Sequence, residues 1–265
     1  MPLTEPSLFV DNDFSFQGQI YVAERTPVTG VPGPLWWVAN CPKAEFAQKI
    51  ERRIKRESFS GLREIKKTRI KTRDGELTMT WEDINVRNII VGMLGKEVTT
   101  AGGSITGETF PTVAVKDIVK LKYPNASSIV LTDSAGTPAT LTANTHYKVL
   151  DAKAGLIEIL SLGSFTQPFK AAYTAGAVKV VTGMEGDDSK EYYIYCSLLN
   201  TEPSTDQAVG LEIYRAAFDP ATLLALINED QGSFDVKATV MRDSVRATST
   251  ETGGYYRWIY NDANL

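Results

Sequence analysis

At 265 residues, the chain is long enough for one large β domain or two modest ones. Its net charge of −4 and pI near 5.3 argue against a general DNA-binding protein, because phosphate contacts need a basic face. The first residues lack the basic and apolar segments of a signal peptide, and no stretch reaches the roughly 20 apolar residues of a membrane helix. We therefore expect a soluble protein made in the cytosol.

No catalytic, cofactor or metal site is predicted. Cys41 and Cys196 are far apart in the sequence and lack the paired spacing of a zinc site. Two cysteines either form one disulfide bridge or remain free thiols, and we favour free thiols. The single histidine, His146, is typical of a surface or packing residue. No glycine-rich loop precedes a Lys-Ser or Lys-Thr pair. These absences predict that the protein is not an enzyme.

In chain order, residues 1–17 are predicted to form an arm and residues 18–25 a first strand. Residues 35–39 then predict a short apolar strand. Trp36 and Trp37 are adjacent, so they point to opposite faces of that strand. Both faces therefore need cover, one from the core and the other from a second layer or another subunit.

The central stretch, residues 44–88, is predicted to be a long ribbon that turns near Ser60-Gly61, returns, and ends at a helix start. Ile50 and Ile54 also fit helical spacing, so a helix is a rival for the first half. The second half alternates with a period of two, with a turn signal at Asp74-Gly75 between two runs. Residues 76–82 are predicted to be a strand.

Residues 49–73 carry eleven Lys or Arg and three Glu, a local charge of +8. Because the whole chain is −4, the remainder carries −12. Such a run is a solvated face, a nucleic-acid patch, or an arm that docks on an acidic surface of an identical neighbour. Phe59 at the predicted tip favours the third interpretation, because an exposed apolar tip indicates a partner. The predicted inter-ring or inter-subunit contact residues are Lys49, Arg52, Arg53, Lys55, Arg56, Phe59, Ser60, Gly61, Arg63, Lys66 and Lys67.

A helix is predicted from Ile84 to Leu94, with Asp83 as its N-cap and Gly95 as its stop. Residues 99–112 are rich in Gly and Thr and predict a linker. Short strands and turns follow, so residues 105–175 are predicted to be an inserted small all-β, sandwich-like module. Residues 1–104 and 176–265 would then form one core β domain.

The last part of the chain is predicted to be mostly strand: residues 191–199, 210–215, 234–241 and 255–260. Asp219-Pro220 predicts the start of a short helix, with Leu223, Leu224, Leu226 and Ile227 on its apolar face. From residue 176 onward there are 14 acidic and 7 basic residues, a charge of −7. The acidic counterpart of the basic ribbon therefore lies mainly in this half.

This layout resembles the tail tube proteins (major tail proteins) of long-tailed bacteriophages. The resemblance covers most of the chain, although none of its segments is a catalytic signature. The segments that carry it are residues 49–52, 56–61, 77–85 with Asn88, 146–151, 155–159 and 214–221.

The resemblance implies a mainly β fold, a tail-tube β-sandwich flanked by a helix, assembled as stacked hexameric rings around a channel for DNA. The loop at residues 49–73 would bridge stacked rings, and the inserted module would lie outside the tube. The implied partners are other copies of the chain, a tape-measure protein, and the tail terminator and distal tail proteins. DNA would pass through the lumen without specific binding, no membrane would be involved, and the protein would reside in the virion tail after assembly in the host cytoplasm.

A different class of function, a two-domain binding module of adhesin or carbohydrate-binding type, is the alternative. It would use Trp36, Trp37 and the cluster of Tyr255, Tyr256 and Trp258 as stacking platforms. A hydrolase would need two carboxylates in a cleft, and the sequence nominates no such pair.

Overall fold

A computed structural model describes residues 13–202, 207–227, 229, 231–248 and 253–260. The protein is mainly β, with 52% of residues in strands and 4% in helix, which confirms the predicted class. Within the described ranges, no helix has the length and apolar character needed to cross a membrane. Of the arm predicted at residues 1–17, the first twelve residues lie outside the described ranges, and Phe16 and Gln17 belong to the first strand instead.

The elements follow one another as a series of strands interrupted by a single short α-helix within the described residues. In chain order they are β1 (Phe16–Arg25), β2 (Trp36–Trp37), β3 (Lys43–Arg56), β4 (Ile65–Trp81), α1 (Val86–Gly92), β5 (Lys96–Thr100), β6 (Gly103–Thr109), β7 (Ile118–Lys120), β8 (Ala126–Thr132), β9 (Tyr147–Asp151), β10 (Leu156–Ile159), β11 (Lys170–Ala175), β12 (Val178–Thr182), β13 (Glu191–Asn200), β14 (Gln207–Asp219), β15 (Phe234–Val240), a 3₁₀ turn (Arg246–Thr248) and β16 (Tyr256–Tyr260).

The chain divides into two compact units. Unit 1 comprises Met1–Lys96 with Gly183–Leu265, and unit 2 comprises Glu97–Thr182. Unit 2 contains the whole of the predicted insertion, residues 105–175, and extends beyond it at both ends. The extensions are β5 and β12, which pair with each other as a two-stranded sheet.

Unit 1 is built on an antiparallel sheet in the order β2-β1-β13-β14-β15-β4-β3. The long strand β14 branches, because its first half pairs with β16 and its last four residues pair with β15. The buried face carries a core that includes Met79, Trp81, Ile194 and Ile213, all fully buried. Both cysteines are free thiols, as predicted.

The helix is shorter than predicted and starts later. Its N-cap is Asn85, whose side chain accepts a hydrogen bond from the Asn88 amide at 2.9 Å. Asp83 was wrongly predicted as the cap, because its carboxylate instead accepts from the Asn40 amide at 2.9 Å. Gly92 packs so closely on Phe234 that an added Cβ would lie 2.7 Å from the ring, so α1 covers the sheet.

The ribbon is a strand hairpin throughout, so the helical rival at Ile50 and Ile54 is wrong. The predicted turn at Asp74-Gly75 is also wrong, because β4 runs through both residues. Gly75 pairs with Gln48 on one side and Val240 on the other. A Cβ at Gly75 would lie 3.1 Å from the Val240 Cβ, so this glycine serves close packing rather than a turn.

Unit 2 contains two three-stranded sheets, β7-β10-β9 and β6-β11-β8, around one core that includes Leu131, Ile157 and Phe169. The predicted linker at residues 99–112 is wrong, because most of it forms β6 and the end of β5. Threonine favours strands, and Gly107 adopts a φ of +76° where the pairing of β6 with β11 shifts register. Gly107, which contributed to the predicted linker, therefore belongs to a β-bulge within a strand.

The short helix predicted at Asp219-Pro220 is absent from the described residues of that segment, 220–227. Asp219 is the last residue of β14 and pairs with Lys237 of β15, so it does not cap the predicted helix. Leu224 still packs on the core, whereas Leu223 is exposed. Residues 203–206, 228, 230, 249–252 and 261–265, which belong to the predicted core β domain, lie outside the described residues.

Candidate assembly arm

The hairpin of β3 and β4 extends beyond the sheet that supports its base. β15 pairs with β4 only from Gly75 to Trp81. The remaining strand residues, 49–56 and 65–74, pair only with each other, and all but Thr72 are exposed. We call residues 49–73 the arm. A two-stranded hairpin without further support is marginally stable in water, so the arm lacks a layer of packing that most strands have.

One face of the arm is apolar in part. Residues directly opposite each other across the strands share a face, and Arg52 pairs with Ile70 while Ile54 pairs with Thr68. Ile50 pairs with Arg73 and Ile65 pairs with Arg56 on the same face. Four isoleucines with exposed fractions between 40% and 54% therefore share this face with arginines. They are Ile50, Ile54, Ile65 and Ile70.

The other face of the arm is cationic. Arg53 lies directly opposite Arg69, and Lys55 lies directly opposite Lys67. Like charges in such positions destabilise a hairpin. At the base of this face, the Lys71 Nζ lies 3.0 Å from a Glu51 carboxylate oxygen. The arm therefore has one face suited to apolar contact and one suited to an anionic surface.

The tip, residues 57–64, is an ordered turn. The Glu57 carboxylate accepts hydrogen bonds from the Ser60 hydroxyl, from the Ser60 amide at 3.2 Å and from the Phe59 amide at 3.4 Å. The Ser60 hydroxyl bond, followed by those backbone amides, lowers the pKa of Glu57. Gly61 adopts a φ of +80° with open space around it. This turn holds Phe59 and Leu62 in water, 79% and 77% exposed.

Every predicted contact residue lies on this arm. Sequence reasoning did not select Glu57, Leu62 or the four isoleucines. The signal for Glu57 was present, since an acidic side chain two and three residues before backbone amides is a common local turn. The predicted residues divide into Lys49, Arg52, Arg53, Lys55 and Arg56 on β3, Phe59, Ser60, Gly61 and Arg63 in the tip, and Lys66 and Lys67 on β4.

A groove of about 1120 Å³ lies in unit 1 at the base of the arm. The side chains of β3 that line it are Ala44, Phe46 and Gln48, and its opposite wall includes Phe16 and Trp258. Those two rings stack with centroids 6.1 Å apart. None of its described lining residues is charged, so the groove is an apolar surface with amide groups among its walls.

The aromatic residues of the binding-module alternative do not form one exposed platform. Trp36 packs edge-on against Tyr192 with centroids 6.3 Å apart, and Tyr255 and Tyr256 pack against the core. Trp37 is half exposed on the edge strand β2. Trp258 lies in the groove wall, so only part of the predicted set is available to a ligand.

His146 lies in unit 2 and has a local packing role. Its Nδ1 accepts from the Thr142 amide at 3.0 Å, and its ring meets Phe165 edge-on with centroids 4.9 Å apart. Among the residues that the structure describes, no group of three or more His, Cys, Asp or Glu side chains is placed to hold a metal ion.

One family model, described as "Protein of unknown function UCP028589", matches residues 13–259. The match spans both units. No curated protein matches the chain.

Proposed function

Since the chain belongs to the UCP028589 family, whose description states no activity, we propose its function from its own surfaces. The protein is a structural virion protein, the tail tube subunit of a long-tailed bacteriophage. Copies form hexameric rings, the rings stack into a tube, and the arm carries the contact between rings. The number six is implied by the resemblance to tail tube proteins, whereas the use of the arm follows from its own exposed residues.

The observation that carries this proposal is the unsupported arm. A hairpin with exposed isoleucines on one face, opposed like charges on the other and two apolar side chains at its tip is poorly stabilised in an isolated chain. Burial against another copy removes each of these costs. Full burial of a Phe or Leu side chain contributes about 1.5–3 kcal/mol.

Electrostatics favour self-association over capture of nucleic acid. The arm carries +8 and the rest of the chain −12, so arm and body of two copies attract each other. A lumen formed by the acidic remainder would repel phosphate, as a conduit that releases DNA requires. DNA thus passes without specific binding, and the tape-measure, tail terminator and distal tail proteins are the partners at the lumen and the tube ends.

Negative-stain electron microscopy of concentrated protein tests the proposal. The wild-type chain should form rings or tubes. The triple variant Arg52→Glu, Arg53→Glu, Phe59→Ala should keep its circular dichroism spectrum and lose stacking. A matched control makes the same kinds of change in unit 2, at the exposed residues Lys120, Lys148 and Val115 (to Glu, Glu and Ala), and should still form tubes. A chain that stays monomeric at every concentration contradicts the proposal.

A second candidate, a carbohydrate-binding module, is favoured by the aromatic row in the groove. Phe14 and Phe16 stack at 5.3 Å, and Phe16 stacks on Trp258. Such rings suit the apolar faces of sugars. A glycan array separates the two functions, because a monomer with array hits supports the module and a tube former without hits supports the tail tube.

A further inference from the structure

We infer that the groove at the base of the arm receives the arm tip of another copy, so that Phe59 and Leu62 of one copy dock against Phe16, Phe46 and Trp258 of the next. This inference rests on the proposed function and identifies the surface that accepts the arm. The occupant is thus a second copy of this chain, presented through residues 57–64.

The arm cannot reach its own groove. β3 rises about 3.4 Å per residue, so Arg56 at its end lies roughly 40 Å from Ala44, which lines the groove, and Leu62 lies in the turn beyond Arg56. Both strands of the arm are paired from base to tip, and no glycine or proline interrupts residues 49–56 or 65–73. Only the groove of a different copy is therefore available to the tip.

The groove and the tip match in chemistry. Its volume of about 1120 Å³ exceeds the roughly 1,000 Å³ upper range of small-ligand sites and leaves room for two large side chains with their backbone. Its uncharged walls suit Phe59 and Leu62, which the Glu57 turn fixes in an exposed position. The asparagine and glutamine side chains among the walls offer partners to the polar backbone of the tip.

Charge complementarity favours the arm over other apolar occupants. Asn40, which lines the groove, donates hydrogen bonds to the carboxylates of Glu82 and Asp83. Two acidic residues therefore border the uncharged groove, and a basic hairpin with an apolar tip complements that arrangement.

The placement of tip and groove also fits stacking. They are different patches at opposite ends of β3, so their contact is heterologous, and each copy that donates a tip still offers an empty groove. Contacts of this kind continue from copy to copy and stay open wherever the rotation between copies does not close a ring. This is the connectivity that a tube of stacked rings needs along its axis.

A disulfide between engineered cysteines tests the docking. The variant Leu62→Cys, Ala44→Cys is made in a Cys41→Ser, Cys196→Ala background, because both native thiols line the groove, and is oxidised with copper phenanthroline after assembly. A disulfide joins Cα atoms only 4.4–6.8 Å apart, so a bond between these two positions is intermolecular. We expect covalent dimers and longer ladders on a non-reducing gel. The yield should be on the order of ten times that of the control Leu62→Cys, Thr239→Cys, because docking raises the local thiol concentration. Thr239 is exposed on the sheet face opposite the groove.

A second variant keeps the test independent of thiol chemistry. Ala44→Arg places a bulky cation in the groove and should abolish stacking while rings persist, whereas Thr239→Arg should stack normally. This inference is overturned, and the proposed function stays intact, if tubes form with no more cross-link than the control and also form with Ala44→Arg.

Loss of stacking on deletion of residues 2–11, with no cross-link to position 44, would assign the groove to the amino-terminal segment instead. Absence of any ring or tube in the wild type overturns both proposals.

Discussion

Arg53 and Arg69 face each other directly across the two strands of the arm, and Lys55 and Lys67 repeat this arrangement nearer the tip. Each such pair costs stability in the free chain, because like charges on directly opposed residues repel. A partner with acidic residues converts the same charges into attraction. Association with an acidic surface should therefore stabilise the arm more than it would stabilise a hairpin whose charges are balanced.

The first prediction separates these two effects with Arg69→Glu. The substitution creates an opposite-charge pair with Arg53 and should stabilise the free arm by about 0.2–1 kcal/mol. It should also weaken stacking, since the arm loses two units of positive charge. Hydrogen exchange of arm amides reports the first change, and tube length in electron micrographs reports the second. Longer tubes from Arg69→Glu would contradict an electrostatic role for this face.

The first prediction extends to ionic strength, because stacking through the same cationic face should weaken with salt. Exposed charges are screened within about 10 Å at 0.1 M ionic strength. Tubes of the wild type should therefore shorten as NaCl is raised from 0.05 M to 0.5 M. The variant Arg53→Glu, Arg69→Glu should show the reverse slope or none, and equal salt dependence in both proteins would exclude the cationic face from the contact.

The second prediction concerns the apolar tip. Phe59→Ala should leave the melting temperature unchanged, because the side chain is 79% exposed in the free chain. It should raise the critical concentration for stacking on the order of 30-fold, which corresponds to about 2 kcal/mol for one buried aromatic side chain. Sedimentation of assembled protein over a dilution series measures this. Val28→Ala, at a loop residue that is 85% exposed, is the control and should change neither quantity.

The hairpin itself was predictable from the sequence, whereas its faces were not. Alternation from Thr68 to Glu82 and the turn at Ser60-Gly61 predict the second strand, whereas Ile50 and Ile54 on the first strand also fit helical spacing. Assignment of the isoleucines to one face requires the register, and the register shifts between Glu51 and Arg52. The groove was beyond sequence reasoning for a similar reason, because strands far apart in the chain, such as β1, β3 and β16, build its walls.

Two local signals failed because tertiary pairing outweighed them. Asp74-Gly75 has the composition of a hairpin turn, yet Gly75 is required by its close contact with Val240. Asp219-Pro220 has the composition of a helix start, yet strand pairing with β15 extends β14 to Asp219. In both cases the local residues favour a turn or a helix start, but pairing with neighbouring strands keeps the backbone extended.

The third prediction concerns the pH dependence of the tip. The hydrogen bonds to Glu57 lower its folded-state pKa below the usual 4.5, so they stabilise the turn at neutral pH and this contribution is lost as pH falls through the folded-state pKa. Amide resonances of Phe59 and Ser60 should lose dispersion only below about pH 4. Glu57→Gln should show weaker dispersion at every pH and no transition. A transition between pH 6 and 8 in the wild type would assign the effect to another group.

The fourth prediction concerns a buried ion cluster in unit 1. Arg25 binds Asp243 at 2.9 Å and also Glu191, with side chains only 2%, 0% and 11% exposed. Asp243→Asn leaves a buried guanidinium partly unpaired and should cost about 3–5 kcal/mol in the free energy of unfolding of unit 1. Glu51→Gln breaks the exposed pair with Lys71 and should cost less than about 1 kcal/mol. Urea titration followed by tryptophan fluorescence compares the two, and equal losses would contradict this account.

The fifth prediction concerns unit 2, which we expect to be dispensable for stacking. The chain enters and leaves it through the paired strands β5 and β12, where Lys179 lies 2.7 Å from Glu97. A Cβ on Gly102 would lie 2.8 Å from the Ala177 amide nitrogen, so the two connections are already adjacent. Replacement of residues 101–177 by Asn-Gly should therefore close β5 and β12 into a hairpin and preserve unit 1. Electron microscopy should show tubes of smaller outer diameter and unchanged axial repeat. If the shortened chain folds, as judged by urea titration of unit 1, but no longer stacks, then unit 2 contributes to the contact between rings.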